Sequence, residues 1–329
     1  MRQRVLGVVV LLLLAPVTAE LLQAYLGDLG GIGGVLFLVV FFAPFYGAAA
    51  LLVREVSVRT GRGWTGRLLL AAAFGVLMAT VVDGSLFTPV RDDVDGWSAI
   101  VGAARVGDLG LYAALTWVGG HVVMSVAAPT VVAESLARHP GPWLPRWALA
   151  VPATTLVCFA AFVHHDQVTS YRVDAGPVQY SVAVLVALAL VAAAFSPWGR
   201  PLPSRDGRPP TPWVLLLLGA LAMAGFDLMP QSWAGVVQGL AVAAVTAMIV
   251  ARWGRRTGWT VRHTAALALG ALLTRTLTGF LSPPPPSTTW SEKLTQNVTY
   301  LLLVLALAWS VERRTRAGAL RTPAPGRAP

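Results

Sequence analysis

Apolar positions in this chain come in long unbroken runs, without the one-sided periodicity of helices or strands that keep a face toward water. Ten runs are legible, near residues 5–22, 33–53, 68–90, 111–135, 147–164, 177–196, 213–228, 233–251, 263–281 and 294–312. A helix rising about 1.5 Å per residue crosses a hydrocarbon core about 30 Å thick with a run of this kind. Short polar breaks separate them. A Gly-rich turn from Asp28 to Gly34 joins the first two, a Pro- and Arg-rich loop from Pro197 to Pro212 divides six spans from four, and Pro283 to Pro286 forms a stiff elbow. The pattern predicts an all-α polytopic transmembrane bundle of about ten spans, one domain over 1–314, and a disordered cytoplasmic tail over 315–329.

Composition agrees: 56% of the 329 residues are apolar and 12% are charged, where an ordinary soluble domain carries about a quarter charged residues. A net charge of +10 resembles a nucleic-acid footprint until the arginines are placed. With Arg2 and Arg4 inside, alternate loops collect Arg54, Arg59, Arg62, Arg67, Arg138, Arg146, Arg200, Arg205, Arg208, Arg252, Arg255, Arg256, Arg262 and the tail arginines, 20 of the 25 basic residues. The opposite loops hold Arg91, Arg105, Arg172 and Lys293 beside Asp28, Asp92, Asp93, Asp95, Asp108, Asp166, Asp174 and Glu292. This is the positive-inside distribution. It predicts both termini in the cytoplasm, a multi-pass protein of the inner (plasma) membrane with lipids as its surroundings, and no nucleic-acid partner; a homo-oligomer is left open. The opening Met1-Arg2-Gln3-Arg4, an apolar run and Val17-Thr18-Ala19 also fit a cleavable signal peptide, but an uncleaved first span keeps the charge alternation intact.

The third and ninth spans resemble each other. Trp64-Thr65-Gly66-Arg67 matches Trp259-Thr260-Val261-Arg262, and at equal offsets Gly75 falls opposite Gly270, Gly84 opposite Gly279, Leu86 opposite Leu281 and Pro89 opposite Pro284. A parallel repeat of spans 2–4 and 8–10 and two helices that merely begin with similar interfacial anchors both account for the match. Asp83 falls opposite Thr278, so the acid lies outside any shared scaffold.

Ionisable groups at membrane depth are costly, and by default they face a cavity and act there. Asp83, two-thirds of the way out along the third span, is the deepest carboxylate; Glu20 and Asp227 lie near the outer ends of the first and seventh spans. His121 is about ten residues inward along the fourth span, and Arg275, the only arginine well inside a span, lies at nearly the depth of Asp83. A buried Asp83–Arg275 pair or a shared polar chamber is expected if their helices touch. Glu134 lies 13 residues from His121, about 20 Å along a helix, and reads as an interfacial charge or a partner for a cytoplasmic arginine.

Several familiar chemistries lack their signatures. Cys158 is the only cysteine, which excludes intramolecular disulfides, cysteine-ligated iron–sulfur clusters and all-cysteine zinc sites; it is expected to pack as a small apolar residue. No spaced zinc motif occurs, His164-His165-Asp166 reads as a solvated span end, and no metal or cofactor is expected. His121 and Ser125, four apart, share a helix face, which by itself does not make a hydrolase. Gly235 and Gly239 form a GxxxG packing face, and Asn297-Val298-Thr299 matches the glycosylation sequon by chance.

From Ala19 to Arg314 the order of features resembles an uncharacterised multi-pass membrane family of actinobacteria. The stretches that carry it are Ala19-Glu20-Leu21-Leu22, Leu52-Val53-Arg54-Glu55, Ser85-Leu86-Phe87-Thr88-Pro89, His121 to Ser125 with Pro129 and Glu134, and Trp259 to Gly279. Family members often carry a glutamate pair where this chain has Met78-Ala79. That departure removes the feature pointing to a glutamate-dependent membrane endopeptidase. In size and character the chain is also similar to membrane-bound terpene cyclases of the drimentine and indole-terpenoid type, with no diagnostic motif matched. That resemblance implies proton-initiated cyclisation of a prenylated, lipophilic substrate in secondary metabolism. The chemistry needs a carboxylic acid kept neutral by apolar surroundings, a part Asp83 suits, with His121 or Arg275 tuning it. It also needs aromatic faces for carbocations, for which Tyr46, Phe87, Tyr112, Trp117, Phe280 and Trp290 are available; interfacial belts account for such residues equally. A secondary transporter or exporter with an intramembrane acid, and a non-catalytic assembly subunit, are the competing expectations.

Overall fold

In the computed structural model the described residues are 1–319, apart from Asp28, Gly30, Asp93 and Ser287. Among them nine helices are long and apolar enough to cross a membrane: α1 (Arg2–Leu21), α2 (Ile32–Arg59), α3 (Trp64–Val82), α4 (Leu111–Ala137), α5 (Arg146–Ser170), α6 (Pro177–Phe195), α8 (Trp233–Trp253), α9 (Val261–Leu281) and α10 (Trp290–Arg316). The seventh, α7 (Pro212–Asp227), has 16 residues, yet its neighbours place its ends on opposite faces. Before it, Arg205 donates its backbone N–H to the Arg255 carbonyl at 2.7 Å on the arginine-rich side. After it, the Met229 carbonyl accepts from the Tyr112 hydroxyl at 3.4 Å, at the start of α4.

The other loops sort the same way. On the basic face Arg4 donates to His139 at 2.6 Å, the Gly63 N–H to the Gly199 carbonyl at 2.9 Å and Arg314 to the Leu136 carbonyl at 2.9 Å. On the opposite face the Asp174 N–H bonds the Phe87 carbonyl at 2.8 Å and Gln296 bonds the Gly27 carbonyl at 2.9 Å. The chain is a multi-pass α-helical membrane protein. Its one sheet among the described residues is a hairpin in the α3–α4 loop, β1 (Arg105–Val106) paired with β2 (Leu109–Gly110), following a short helix, Trp97–Gly102.

Helices α1 and α4 occupy the centre. Leu14, Leu21 and Leu22 of the first pack with Met124, Val131 and Val132 of the second and with α9 and α10; Leu11 and Ala15 pack with Phe45, Tyr46 and Met78 on the other side. Helices α5, α6 and α8 turn most of their side chains outward. Without a hydrophobic drive between helices in lipid, close backbone approach matters most, and α7 meets α9 through reciprocal glycines. A Cβ at Gly219 would stand 2.0 Å from the Leu267 carbonyl, and one at Gly270 the same distance from that of Leu216.

Several expectations are corrected. Packing does not extend the similarity of the third and ninth spans: α2 lies against α3, whereas α9 packs chiefly on α7, α10 and the inner half of α4, with α8 not among its main neighbours. The third span ends earlier than 90, at Val82, because Gly84 turns left-handed (φ 61°) and a 3-10 turn, Ser85–Phe87, follows. Residues 315–319 of the expected tail continue α10 as helix, and 320–329 lie outside the described residues. Cys158 is exposed on α5 instead of packed.

Candidate functional site

In each of the first four spans the regular helical ladder gives way once to a wider, π-helical turn: Val17–Leu21 in α1, Ala43–Gly47 in α2, Met78–Val82 at the end of α3 and His121–Ala127 in α4. Prolines accompany three of them. Pro16, Pro44 and Pro129 each lack the N–H owed to the carbonyl four residues back, and a π turn is one way a helix absorbs that defect. The turns lie together, that of α4 against those of α1 and α2, and each carries or adjoins a polar side chain expected from the sequence to act: Glu20, Tyr46, Asp83 and His121 with Ser125.

Glu20 is the hub. Its two carboxylate oxygens accept separately from the hydroxyls of Tyr25 and Tyr46. Tyr25 reaches back because Ala24 takes a left-handed conformation (φ 51°), which costs a non-glycine residue of order 1–3 kcal/mol. Buried Lys293 of α10 holds that turn, donating to the Gln23 carbonyl at 2.8 Å, the Ala24 carbonyl at 3.0 Å and Ser282 at 3.3 Å. Tyr46 in turn lies parallel to the His121 imidazole, ring centres 5.9 Å apart, while Phe74 meets the same imidazole edge-on at 5.7 Å. His121 Nδ1 shares a 3.0 Å hydrogen bond with Ser125 Oγ. The contact depends on Gly75, where a Cβ would stand 3.1 Å from the Val118 carbonyl and 3.2 Å from His121 Cβ.

Asp83 borders this cluster. Its Oδ1 accepts from the Ser85 N–H at 2.8 Å and the Ser85 hydroxyl at 2.5 Å, closing an Asx-type turn around Gly84. Glu20 and Arg91 both lie within electrostatic reach of it. The expected pairing with Arg275 does not form. Arg275 pairs with Asp227 of α7, whose other oxygen accepts from Thr278 at 2.9 Å. Thr278 also accepts from Gln23 at 3.3 Å, so the Arg275–Asp227 pair adjoins the loop that carries Tyr25, with Arg275 in electrostatic reach of that phenol. His121 bonds Ser125 and not Asp83.

The aromatic set is likewise divided. Tyr46 belongs to the Glu20 cluster. Phe87 lines a cavity of about 210 Å³ on the face opposite the arginine-rich loops, with Leu86, Thr88, Val101, Arg105, Asp108 and others. Tyr112 packs with Met229 and Val236, and Trp117 stacks on Trp97 at 5.1 Å. Phe280 sits in the 3-10 turn Gly279–Leu281 that ends α9, and Trp290 is exposed. The rings nearest the site are instead Phe41, Phe42, Phe45, Phe74 and Phe159, an interlocked group between α2, α3 and α5.

Glu134 is distant and neutralised. It accepts from Arg54 at 3.2 Å and Arg67 at 3.0 Å on the basic face, where Arg54 also pairs with Glu55 and lies 3.8 Å over the Trp143 ring. His164 Nδ1 donates to the Val81 carbonyl at 2.6 Å. No group of three or more His, Cys, Asp or Glu that could hold a metal ion occurs among the described residues. Asn297 is buried with its amide donating to the Gly279 carbonyl at 3.2 Å, so it offers no glycosylation acceptor; Gly239 packs on Leu115 and Met229 as a helix contact.

The sequence reading missed Tyr25 and Lys293, which come from a loop and a distant span. Ser85 was findable, since Asp-Gly-Ser spells an Asx turn. Comparison with protein-family models, with curated proteins and with solved structures returns no match. The fold and the site together define a class: a polytopic helical membrane protein with two acids, two phenols and an imidazole gathered at four π-helical turns.

Proposed function

We propose that the protein is a membrane-embedded acid–base enzyme acting on a lipophilic substrate, and that its reaction is proton-initiated cyclisation of a prenylated compound, as in membrane-bound terpene cyclases. The carrying observation is that Glu20 accepts from two tyrosine hydroxyls and, among the described residues, forms no salt bridge. Hydroxyls can hydrogen-bond either charge state of a carboxyl, and a neutral acid is the form that donates a proton. Glu20 therefore takes the central role first given to Asp83, with Asp83 as the neighbouring acid and Tyr46 as the link to His121. The interlocked phenylalanines offer ring faces to a developing carbocation; Phe37 and Phe162 continue that group to the exposed surface of α2 and α5, a route from lipid. The sided arginines support residence in a plasma membrane with the basic face toward the cytoplasm.

The test is expression with a farnesylated indole or diketopiperazine substrate, comparing wild type with Glu20→Gln and Asp83→Asn by product analysis. A cyclised product lost in Glu20→Gln supports the assignment. Product at wild-type level in both variants removes the acids from the mechanism. A secondary transporter is the second reading, favoured by helices interrupted at the depth of the acids; substrate-dependent proton flux without any covalent change would establish it.

A further inference from the structure

Membrane insertion requires only that most arginines stay on one side; it does not require that the loops carrying them be joined. On the basic face three such loops are joined, those between α2 and α3, α6 and α7, and α8 and α9. The Gly63 N–H donates to the Gly199 carbonyl at 2.9 Å, the Arg205 N–H to the Arg255 carbonyl at 2.7 Å and the Thr257 N–H to the Arg205 carbonyl at 3.1 Å. Glycines close both seams: a Cβ at Gly63 would stand 2.8 Å from Pro201 Cα, and one at Gly258 the same distance from Pro209 Cδ. Arg62, Arg200, Arg205, Arg208, Arg255 and Arg256 come from these loops, and Asp206 is the only acid in them. Three of the guanidinium groups are braced across the seams on backbone carbonyls. Arg62 donates to the Phe195 carbonyl at 3.2 Å, Arg255 to that of Pro203 at 2.9 Å and Arg256 to that of Arg208. Among the described residues none of these arginines forms a salt bridge, unlike Arg54, Arg59 and Arg67 of the same face.

A carbonyl orients a guanidinium without neutralising it, and leaves it further N–H donors. Like charges held together by backbone hydrogen bonds repel one another, and a bound anion relieves that repulsion. A phosphodiester supplies the anion in the form a guanidinium fork binds best. Trp198 and Trp213, 76% and 72% exposed, flank the α6–α7 loop, and indoles at span ends sit at the level of lipid headgroups. We infer that the three joined loops form a binding surface for the phosphodiester headgroups of anionic phospholipids in the leaflet at the basic face. A zwitterionic headgroup brings its own cation, which this surface repels. A nucleic acid offers the same phosphate but no acyl chain to meet the exposed indoles and the apolar spans beside them.

The experiment reads lipid binding and not product, so it stands apart from the reaction at Glu20. The full chain, purified in a neutral detergent, is titrated with phosphatidylglycerol and with phosphatidylcholine of the same acyl chains, and bound lipid is counted by native mass spectrometry. Wild type should bind phosphatidylglycerol about tenfold or more tightly than phosphatidylcholine. Arg205→Gln with Arg256→Gln should remove most of that preference. Arg2→Gln with Arg146→Gln, at two exposed arginines of the same face outside the joined loops, should leave most of it. Equal affinity of wild type for the two lipids would overturn the site, and equal loss in the two double variants would reduce it to diffuse charge. Displacement of bound phosphatidylglycerol by short single-stranded DNA at equal phosphate concentration would overturn it in favour of a nucleic acid. Should Arg205→Gln with Arg256→Gln fail to fold, Arg205→Gln with Arg208→Gln gives the same reading, because both of those residues are exposed and join the loops through their backbones.

Discussion

Two regions of this molecule bury carboxylates, and they treat them in opposite ways. At the basic face Glu55 and Glu134 are met by Arg54, Arg59 and Arg67. The Glu55 carboxylate also accepts the backbone N–H groups of Trp143 at 2.8 Å and Leu144 at 3.3 Å, while Arg54 donates to the Gly141 and His139 carbonyls at 2.8 and 3.2 Å. Both carboxylates are fully paired, with three guanidinium groups to two acids, and the α4–α5 loop is bound to α2. In the opposite half, Glu20 receives two phenols and Asp83 receives one serine. A carboxylate matched to a guanidinium is committed to one charge state and to structure. The hydrogen bonds to Glu20 and Asp83 come instead from hydroxyls and, at Asp83, from the Ser85 N–H as well.

The contrast can be broken by substitution. The largest effect is expected at Arg54: both its side chain and that of Glu55 are fully buried, and removing it strips Glu55 and Glu134 of one of two cations each and leaves the His139 and Gly141 carbonyls without their donor. Arg54→Leu should cost about 3–5 kcal/mol, seen as a large drop in the thermal midpoint in detergent; a change under about 1 kcal/mol would end the structural assignment. Glu20→Gln should do the reverse. Product formation should fall by about 10² to 10⁴, the usual worth of a general acid, with the thermal midpoint close to wild type; a large loss of stability would class Glu20 with the basic-face carboxylates.

Between the two stands Arg275–Asp227, a single ion pair whose carboxylate also accepts from Thr278. Arg275→Leu alone should destabilise by about 2–4 kcal/mol, and Arg275→Leu with Asp227→Leu should recover most of it. Failure of the double variant to recover would give Arg275 a role beyond its partner. The smallest effect is expected at Ser85→Ala, which removes one hydrogen bond to Asp83 and leaves the backbone one. A loss of about 1 kcal/mol, with product formation reduced less than in Glu20→Gln, would keep Asp83 subordinate to Glu20; an equal loss of product would restore Asp83 to the centre.

Much of this architecture was readable before any coordinates. The apolar runs and the sided arginines give ten crossings because bilayer thickness and the cost of moving arginine across it act on each segment separately. The acids at depth were readable for the same reason, and so was the shared helix face of His121 and Ser125, which the structure joins by a hydrogen bond. What failed were statements about which helices touch. Asp83 and Arg275 share a depth, but depth is one coordinate of three, and the reciprocal glycines of α7 and α9 assign Arg275 to Asp227.

The chain alone therefore determined how many times it crosses, which loops face together and how far along each helix every polar residue sits, since these follow from local length, hydropathy and charge. Only the tertiary structure decided company: Tyr25 and Tyr46 for Glu20, Arg54 and Arg67 for Glu134, Asp227 for Arg275. In a membrane the apolar faces of all helices look alike to lipid, so neighbours are chosen by close packing at small residues and by the few polar contacts. Those contacts join residues as far apart as Gln23 and Lys293, beyond the reach of any spacing rule.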